Sequence, residues 1–291
     1  MIEDIRDKTS AGPEDIQALN FVREEIPFVL RRHFRQGLRS HVLEVLDPME
    51  VEAERIGRMQ DGLLCFPRAR PLKMFRVFRA RFDSLKDGLV EIESVTILQR
   101  YLAPQYVARS DEFLVDYVFQ GAWNLLLCGL QDYVEGEILD PWSPVEQNAL
   151  EELWRRIRNR EAGCERPQIP GIEAVREHIA AFVSRVKRMI AEAGLIPDLA
   201  GVSNLILTPS GAVKLVDINN ISPVSLTPRI FLDDKEYPIC DKSVQALALL
   251  EQNLLGRPPD RNDPIYRVFL DPERVRDVKA VEEAFHRGGR W

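Results

Sequence analysis

Between 172 and 193 the apolar residues Ile172, Val175, Ile179, Phe182, Val186, Met189 and Ala193 recur at alternating steps of three and four, and Gly194 follows directly. That spacing predicts a long helix with one buried stripe, ended by a glycine that tolerates a left-handed cap. A helix of this kind needs a layer to pack against. The period then changes at once. Asn204-Leu-Ile-Leu, the turn Thr208-Pro-Ser-Gly211 and Ala212-Val-Lys-Leu-Val-Asp217 predict two short strands around a four-residue loop, hence a β-hairpin.

Upstream, residues 13–38 place Ile16, Leu19, Phe21, Val22, Ile26, Val29, Leu30 and Phe34 at helical spacing, with Pro27 as a break or kink. This predicts an N-terminal helical extension over 1–39. From Ser40 the runs His41-Val-Leu-Glu-Val-Leu, Gly62-Leu-Leu-Cys-Phe and Lys73-Met-Phe-Arg-Val-Phe are short and divided by Pro and Gly, as strands are. Ser84 can cap a helix to about Leu102, and strand-like segments resume from Tyr106 to Val134. Glu135-Gly136 marks the exit from that sheet, so the expected domains are 40–134 and 135–291. Further helices are expected from Cys240 to Leu255 and over 272–287. There is no internal repeat or low-complexity tract.

The chain has 39 Lys and Arg against 46 Asp and Glu, a net charge of −7, so nothing global draws it to nucleic acid or anionic lipid. No apolar run approaches the roughly 18 residues that span a bilayer, and the first residues lack a signal peptide's hydrophobic stretch, which predicts a cytoplasmic protein without a membrane partner. Cys65, Cys128, Cys164 and Cys240 form no Cys-x-x-Cys pair and are expected as reduced, structural thiols. His33, His41, His178 and His286 show no metal-ligand spacing. The basic clusters Arg31, Arg32, Arg35, Arg39 and 154–160 lie beside Glu24, Glu25, Glu151, Glu152 and Glu161, and so predict solvated helix faces with i to i+4 pairs.

The helix, then Leu195-Ile-Pro-Asp198-Leu-Ala-Gly-Val-Ser-Asn204, then a hairpin delivering Asp217, resembles the catalytic core of the protein-kinase-like superfamily. Asn204 and Asp217 lie thirteen residues apart, as that family's asparagine and Asp-Phe-Gly aspartate do; here the latter motif reads Asp217-Ile-Asn219. The resemblance implies an α+β, two-lobed protein-kinase-like fold, with a small lobe of antiparallel sheet plus one helix and a mainly helical large lobe. It implies ATP and Mg2+ as cofactors, Asp198 orienting an acceptor hydroxyl, and Asn204 and Asp217 holding the metal. Lys73-Met-Phe-Arg76 resembles the strand that carries the family's phosphate-contacting lysine, with Arg76 in its place and Glu91, or Glu93, as the cation's partner. Gln131-Asp132-Tyr133-Val134-Glu135-Gly136 resembles the hinge, which implies nucleotide contacts at Asp132 and Val134. The helix from Cys240, with Asp241 near its start, resembles the large lobe's buried central helix.

Read from the residues alone, Asn204 and Asp217 could instead cap the ends of a surface hairpin. The chain also departs from the family pattern. No Gly-x-Gly-x-x-Gly precedes Arg76, Ile196-Pro197 stand before Asp198, and Asp198 to Asn204 is six residues rather than five. Asp217 to Asp241 is 24 residues without Ala-Pro-Glu, which is closer to small-molecule kinases of the aminoglycoside and choline type, or to a degenerate relative, than to regulated protein kinases. Two functions follow: phosphoryl transfer from a nucleotide to a small hydroxylated acceptor, or a pseudokinase that binds nucleotide or a protein partner as a scaffold.

Overall fold

The computed structural model describes residues 3–23, 25–34, 37, 39–143, 149–161 and 170–287. It divides into two compact units, Met1–Glu93 with Arg109–Tyr133, and Ser94–Ala108 with Val134–Trp291. The architecture is mixed α and β. Glu24, Arg35 and Cys164, and the side chains of Arg160 and Glu161, lie outside the described residues.

In the first unit the chain forms α1 (Pro13–Gln17), β1 (Val29–Arg32), β2 (Ser40–Leu46), α2 (Pro48–Ile56), β3 (Arg58–Gln60), β4 (Leu63–Cys65), β5 (Pro71–Phe78), the first half of α3 (Leu85–Leu102), β6 (Ser110–Phe119) and β7 (Ala122–Asp132). Five strands make one antiparallel sheet in the order β1-β2-β5-β7-β6. The β6–β7 hairpin closes on Gln120 and Gly121, both with positive φ (51° and 79°), the turn whose twist matches that of its strands. Ser84 caps α3 as expected, its hydroxyl accepting from the Asp87 N–H at 3.3 Å.

The helical extension over 1–39 is not what forms. Only Pro13–Gln17 is helical, Val29–Arg32 is the sheet's edge strand, and residues 3–23 lie across one sheet face. Ile5, Ala11, Ile16 and Leu19 pack there against Leu43, Val77, Tyr117, Leu126 and Cys128. The apolar positions of this segment were visible in its sequence, but burial against a flat sheet satisfies them without helical order. Arg79, just past β5, and the segment's own Asn20 supply polar contacts that a helix would have made internally. Arg79 donates to the carbonyls of Lys8 (2.6 Å) and Thr9 (3.1 Å), and Asn20 brackets the β6 backbone at Asp116 and Val118. Arg31 likewise lies on a strand and pairs with Glu44 and Glu54, not along a helix.

The second unit holds the rest of α3, β8 (Glu137–Ile138), α4 (Ala149–Glu161), α5 (Ile172–Ala193), β9 (Leu195–Pro197), β10 (Leu205–Leu207), β11 (Val213–Leu215), β12 (Ile221–Pro223), α6 (Ile239–Leu249) running into a π-helical turn at Leu250–Leu254, α7 (Pro264–Phe269) and α8 (Pro272–Arg287). α5 is the helix expected, with Val175, Ile179, Phe182, Val186 and Met189 buried and Gly194 at φ 65° returning its N–H to the Ile190 carbonyl. Val95, Leu98 and Leu102 of α3, Trp154 of α4 and Val244 and Leu247 of α6 share its core. The burial of Trp154 means that the basic cluster around it is only partly a solvated face. β11-β10-β8 form one small sheet and β12-β9 another, so the hairpin and the strand before Asp198 are each pinned by a neighbour. Among the described residues no helix is long and apolar enough to cross a membrane.

Candidate functional site

Asp198 follows β9 directly. Pro197 pairs with Ile221 of β12, so the next residue on each strand is brought opposite: the Asp198 N–H donates to the Asn220 carbonyl at 2.9 Å. The Asp198 side chain is buried, 8% exposed. Its Oδ1 accepts from the Ala200 N–H (2.9 Å) and the Gly201 N–H (3.3 Å), and its Oδ2 accepts from Asn220 Nδ2 (2.9 Å). The loop beyond is held by three hydrogen bonds. The Leu199 N–H donates to Ser243 Oγ of α6 (3.1 Å), the Trp142 indole N–H to the Ala200 carbonyl (2.9 Å), and Asn204 Nδ2 to the Asp198 carbonyl (3.0 Å).

Asn204 is thereby folded back over its own loop, so close to Gly201 that a Cβ there would sit 2.6 Å from its Oδ1. Among the described residues no hydrogen bond reaches Asn204 Oδ1. Its backbone carbonyl accepts from the Val216 N–H (2.9 Å), which ties it to the strand that delivers the half-buried Asp217. Burial, reinforced by the Asp217 carboxylate, pushes the Asp198 carboxyl up to about 6, against the opposing hydrogen bonds from Asn220, Ala200 and Gly201.

Asp198, Asn204 and Asp217 are therefore one constellation, with two mutually repelling carboxylates and an amide oxygen left over. Such a donor set fits a hard cation of the magnesium type, which binds through one or two carboxylates and completes its shell with water and substrate phosphate.

The residues expected to contact nucleotide in the first unit are placed as follows. Arg76 is buried on β5 and donates to Gln131 Oε1 of β7. Glu91 lies at an exposed position of α3. Asp132 ends β7, accepts from Lys73 Nζ and donates its N–H to the Arg109 carbonyl, and Val134 is half-buried just beyond it. The cysteines Cys128 and Cys240 are buried, and burial pushes both thiols up to about 12, as inert structural thiols require.

Sequence reasoning missed Asn220 and Ser243. Asn220 could have been found by extending Asp217-Ile-Asn219 into a strand antiparallel to Leu195–Pro197. Nothing in the sequence brings Trp142 or Ser243 to the loop, since 58 and 44 residues separate them from their partners.

No protein-family model and no curated protein matches the chain. Solved structures similar to it include two forms of the Mycobacterium tuberculosis PknI kinase domain, a double mutant with TM-score 0.38 and a single mutant with TM-score 0.36. Each is 16% identical, over 89% of this chain and 87% of that one. With values this low, function must be argued from the residues of this chain.

Proposed function

We propose that this protein is a kinase-like phosphotransferase that binds a magnesium-complexed nucleoside triphosphate, ATP in the resembled superfamily, and transfers its terminal phosphoryl group to a small hydroxylated acceptor. The observation that carries this reading is the pairing of a buried Asp198 with the Asp217 carboxylate across a strand pair and hairpin that also present Asn204. Asp217 and Asn204 would hold the metal, which supplies charge neutralisation for the transferring phosphoryl oxygens. Asp198, poised near neutrality, would accept the hydrogen bond of the acceptor hydroxyl and orient it. Arg76 with Glu91, and the Asp132 and Val134 backbone, are proposed as nucleotide contacts on the sequence resemblance.

A second reading, a pseudokinase that binds without transferring, is favoured by one observation: both Asp198 oxygens are already held by the protein itself. The two separate in one series. A thermal-shift titration with Mg-ATP should raise Tm by the linkage RT ln(1 + [L]/Kd), and Asp217→Ala should remove the magnesium dependence of that shift. Nucleotide release measured against a panel of hydroxylated small molecules then tests transfer. Asp198→Ala should abolish turnover and spare binding; a shift with no turnover on any acceptor selects the pseudokinase, and no shift at millimolar nucleotide ends the phosphotransferase reading and leaves only a scaffold that binds a protein partner.

A further inference from the structure

α6 and α8 meet through charged side chains that are removed from water. Arg274, Val278 and Glu282 stand at successive steps of four on α8 and so share one face. Val278 is buried, and Arg274, also buried, pairs with Asp241 of α6 and donates to the Thr227 carbonyl (2.6 Å), which docks the helix independently of Glu282. Glu282 meets the next residue of α6. Its Oε2 accepts from Lys242 Nζ at 2.9 Å, and its Oε1 accepts from the Tyr237 hydroxyl at 2.8 Å.

Lys242 is only 8% exposed. A lysine buried this deeply contributes little net stability even when paired, because its desolvation offsets the attraction. Its placement has another consequence, since Nζ lies 4.0 Å from the centroid of the Trp142 ring. The ammonium holds the ring face electrostatically, and the opposite property of the same ring, its N–H edge, holds the loop. That N–H donates to the Ala200 carbonyl at 2.9 Å, and the Ala200 N–H donates to Asp198 Oδ1 at 2.9 Å. Ser243, beside Lys242, takes the Leu199 N–H, so the first turn of α6 reaches the Asp198 loop twice. Glu282 is the one carboxylate paired with Lys242 among the described residues. With Glu282 neutral, the ammonium would be left uncompensated in a buried position and drawn toward water, away from the ring.

We propose that Glu282 is a positioning residue for the Asp198 loop, acting from α8 through Lys242 and Trp142. The proposal rests on the phosphotransfer reading above and names the element that controls its loop: the C-terminal helix α8, which touches none of the residues assigned to metal or acceptor but sets the cation on which the loop's indole rests.

Two measurements on the full chain test it, amide hydrogen exchange and steady-state transfer from Mg-ATP to the acceptor that the panel above identifies. Glu282→Gln should speed exchange at Ala200 and Gly201, whose N–H groups are held by Asp198 Oδ1, at least about tenfold while the α5 amides keep their protection. It should lower kcat about 10- to 100-fold, the scale of a displaced reacting group, and leave the KM for Mg-ATP unchanged. Because Glu282 acts through Lys242, Glu282→Gln should have no further effect in a Lys242→Met background, where no buried charge remains to be compensated. Glu283→Gln, one residue along α8 with an exposed side chain, should change neither measurement. Unchanged exchange, an unchanged kcat, or effects that add in the double variant each overturn the proposal. Exchange that speeds throughout the second unit makes the pair merely structural and overturns it too. If the parent chain turns over no acceptor, the phosphotransfer reading fails by itself, while faster exchange confined to the loop still supports the link from Glu282.

Discussion

Asp198 concentrates the residue-scale physics. Its carboxyl rises from 3.8 to about 6 because burial and Asp217 both oppose ionisation. The folded state therefore holds this proton more tightly than the unfolded chain. Stability from this group is fully present below about pH 4 and is lost as pH rises through about 6, about 3 kcal/mol in all at about 1.36 kcal/mol per pH unit of displacement. Asp198→Asn should thus abolish turnover yet stabilise the protein by about 1–3 kcal/mol at neutral pH, with the gain gone near pH 4; urea melts at the two pH values check it. Asn220 donates to Asp198 Oδ2 and so restrains the rise. Asn220→Ala should push the carboxyl higher, moving the acid limb of the pH–rate profile upward. An unmoved limb would show that Asn220 only supports the strand. The three oxygen donors were legible because their types and spacing are local, whereas Asn220 acts through a pairing between separate segments.

At the scale of elements, α5 and the hairpin could be read directly, since each buries a face whose period belongs to the element alone. β8 could not. It is two residues long and is defined by its partner, with Ile206 opposite Ile138 and Leu207 opposite Glu137. Gly136 makes that approach possible: a Cβ there would lie 2.3 Å from the Leu207 carbonyl oxygen. Gly136→Ala should cost about 2–4 kcal/mol, measured as a lowered denaturation midpoint at unchanged m, because backbone cannot yield as a side-chain tip can. Residues 3–23 fall within the span 1–39 expected as a helical extension, because apolar spacing does not say whether a helix or a sheet receives it. Its attachment runs through Arg79, which donates to three of its carbonyls. Arg79→Met should leave the sheet folded and make residues 3–23 the first site of limited proteolysis, at a cost of about 1–3 kcal/mol.

For the whole molecule, His41 and Asp198 contribute to the pH dependence of stability in opposite directions. His41 is fully buried beneath the N-terminal segment with Nε2 on the Ile5 carbonyl at 2.7 Å, and burial, partly offset by that bond, lowers its pKa below 6.5. It therefore contributes stability above about pH 6.5 that is lost as pH falls through its depressed value. Asp198 acts in the other direction between about 4 and 6, so the two partly cancel, and the Asp198→Asn variant should lose Tm more steeply on acidification than the parent; parallel Tm–pH curves would refute the balance. The sequence by itself determined which segments carry an apolar face and how far apart the oxygen-bearing Asp198, Asn204 and Asp217 stand along the chain, because those are properties of chain distance and side-chain type. Only the tertiary structure decided that residues 3–23 cover a sheet, that Asn220, Trp142 and Ser243 brace the Asp198 loop, and that Lys242 stands between Glu282 and Trp142. Each of these depends on which groups far apart in the chain are brought within hydrogen-bonding distance and removed from water.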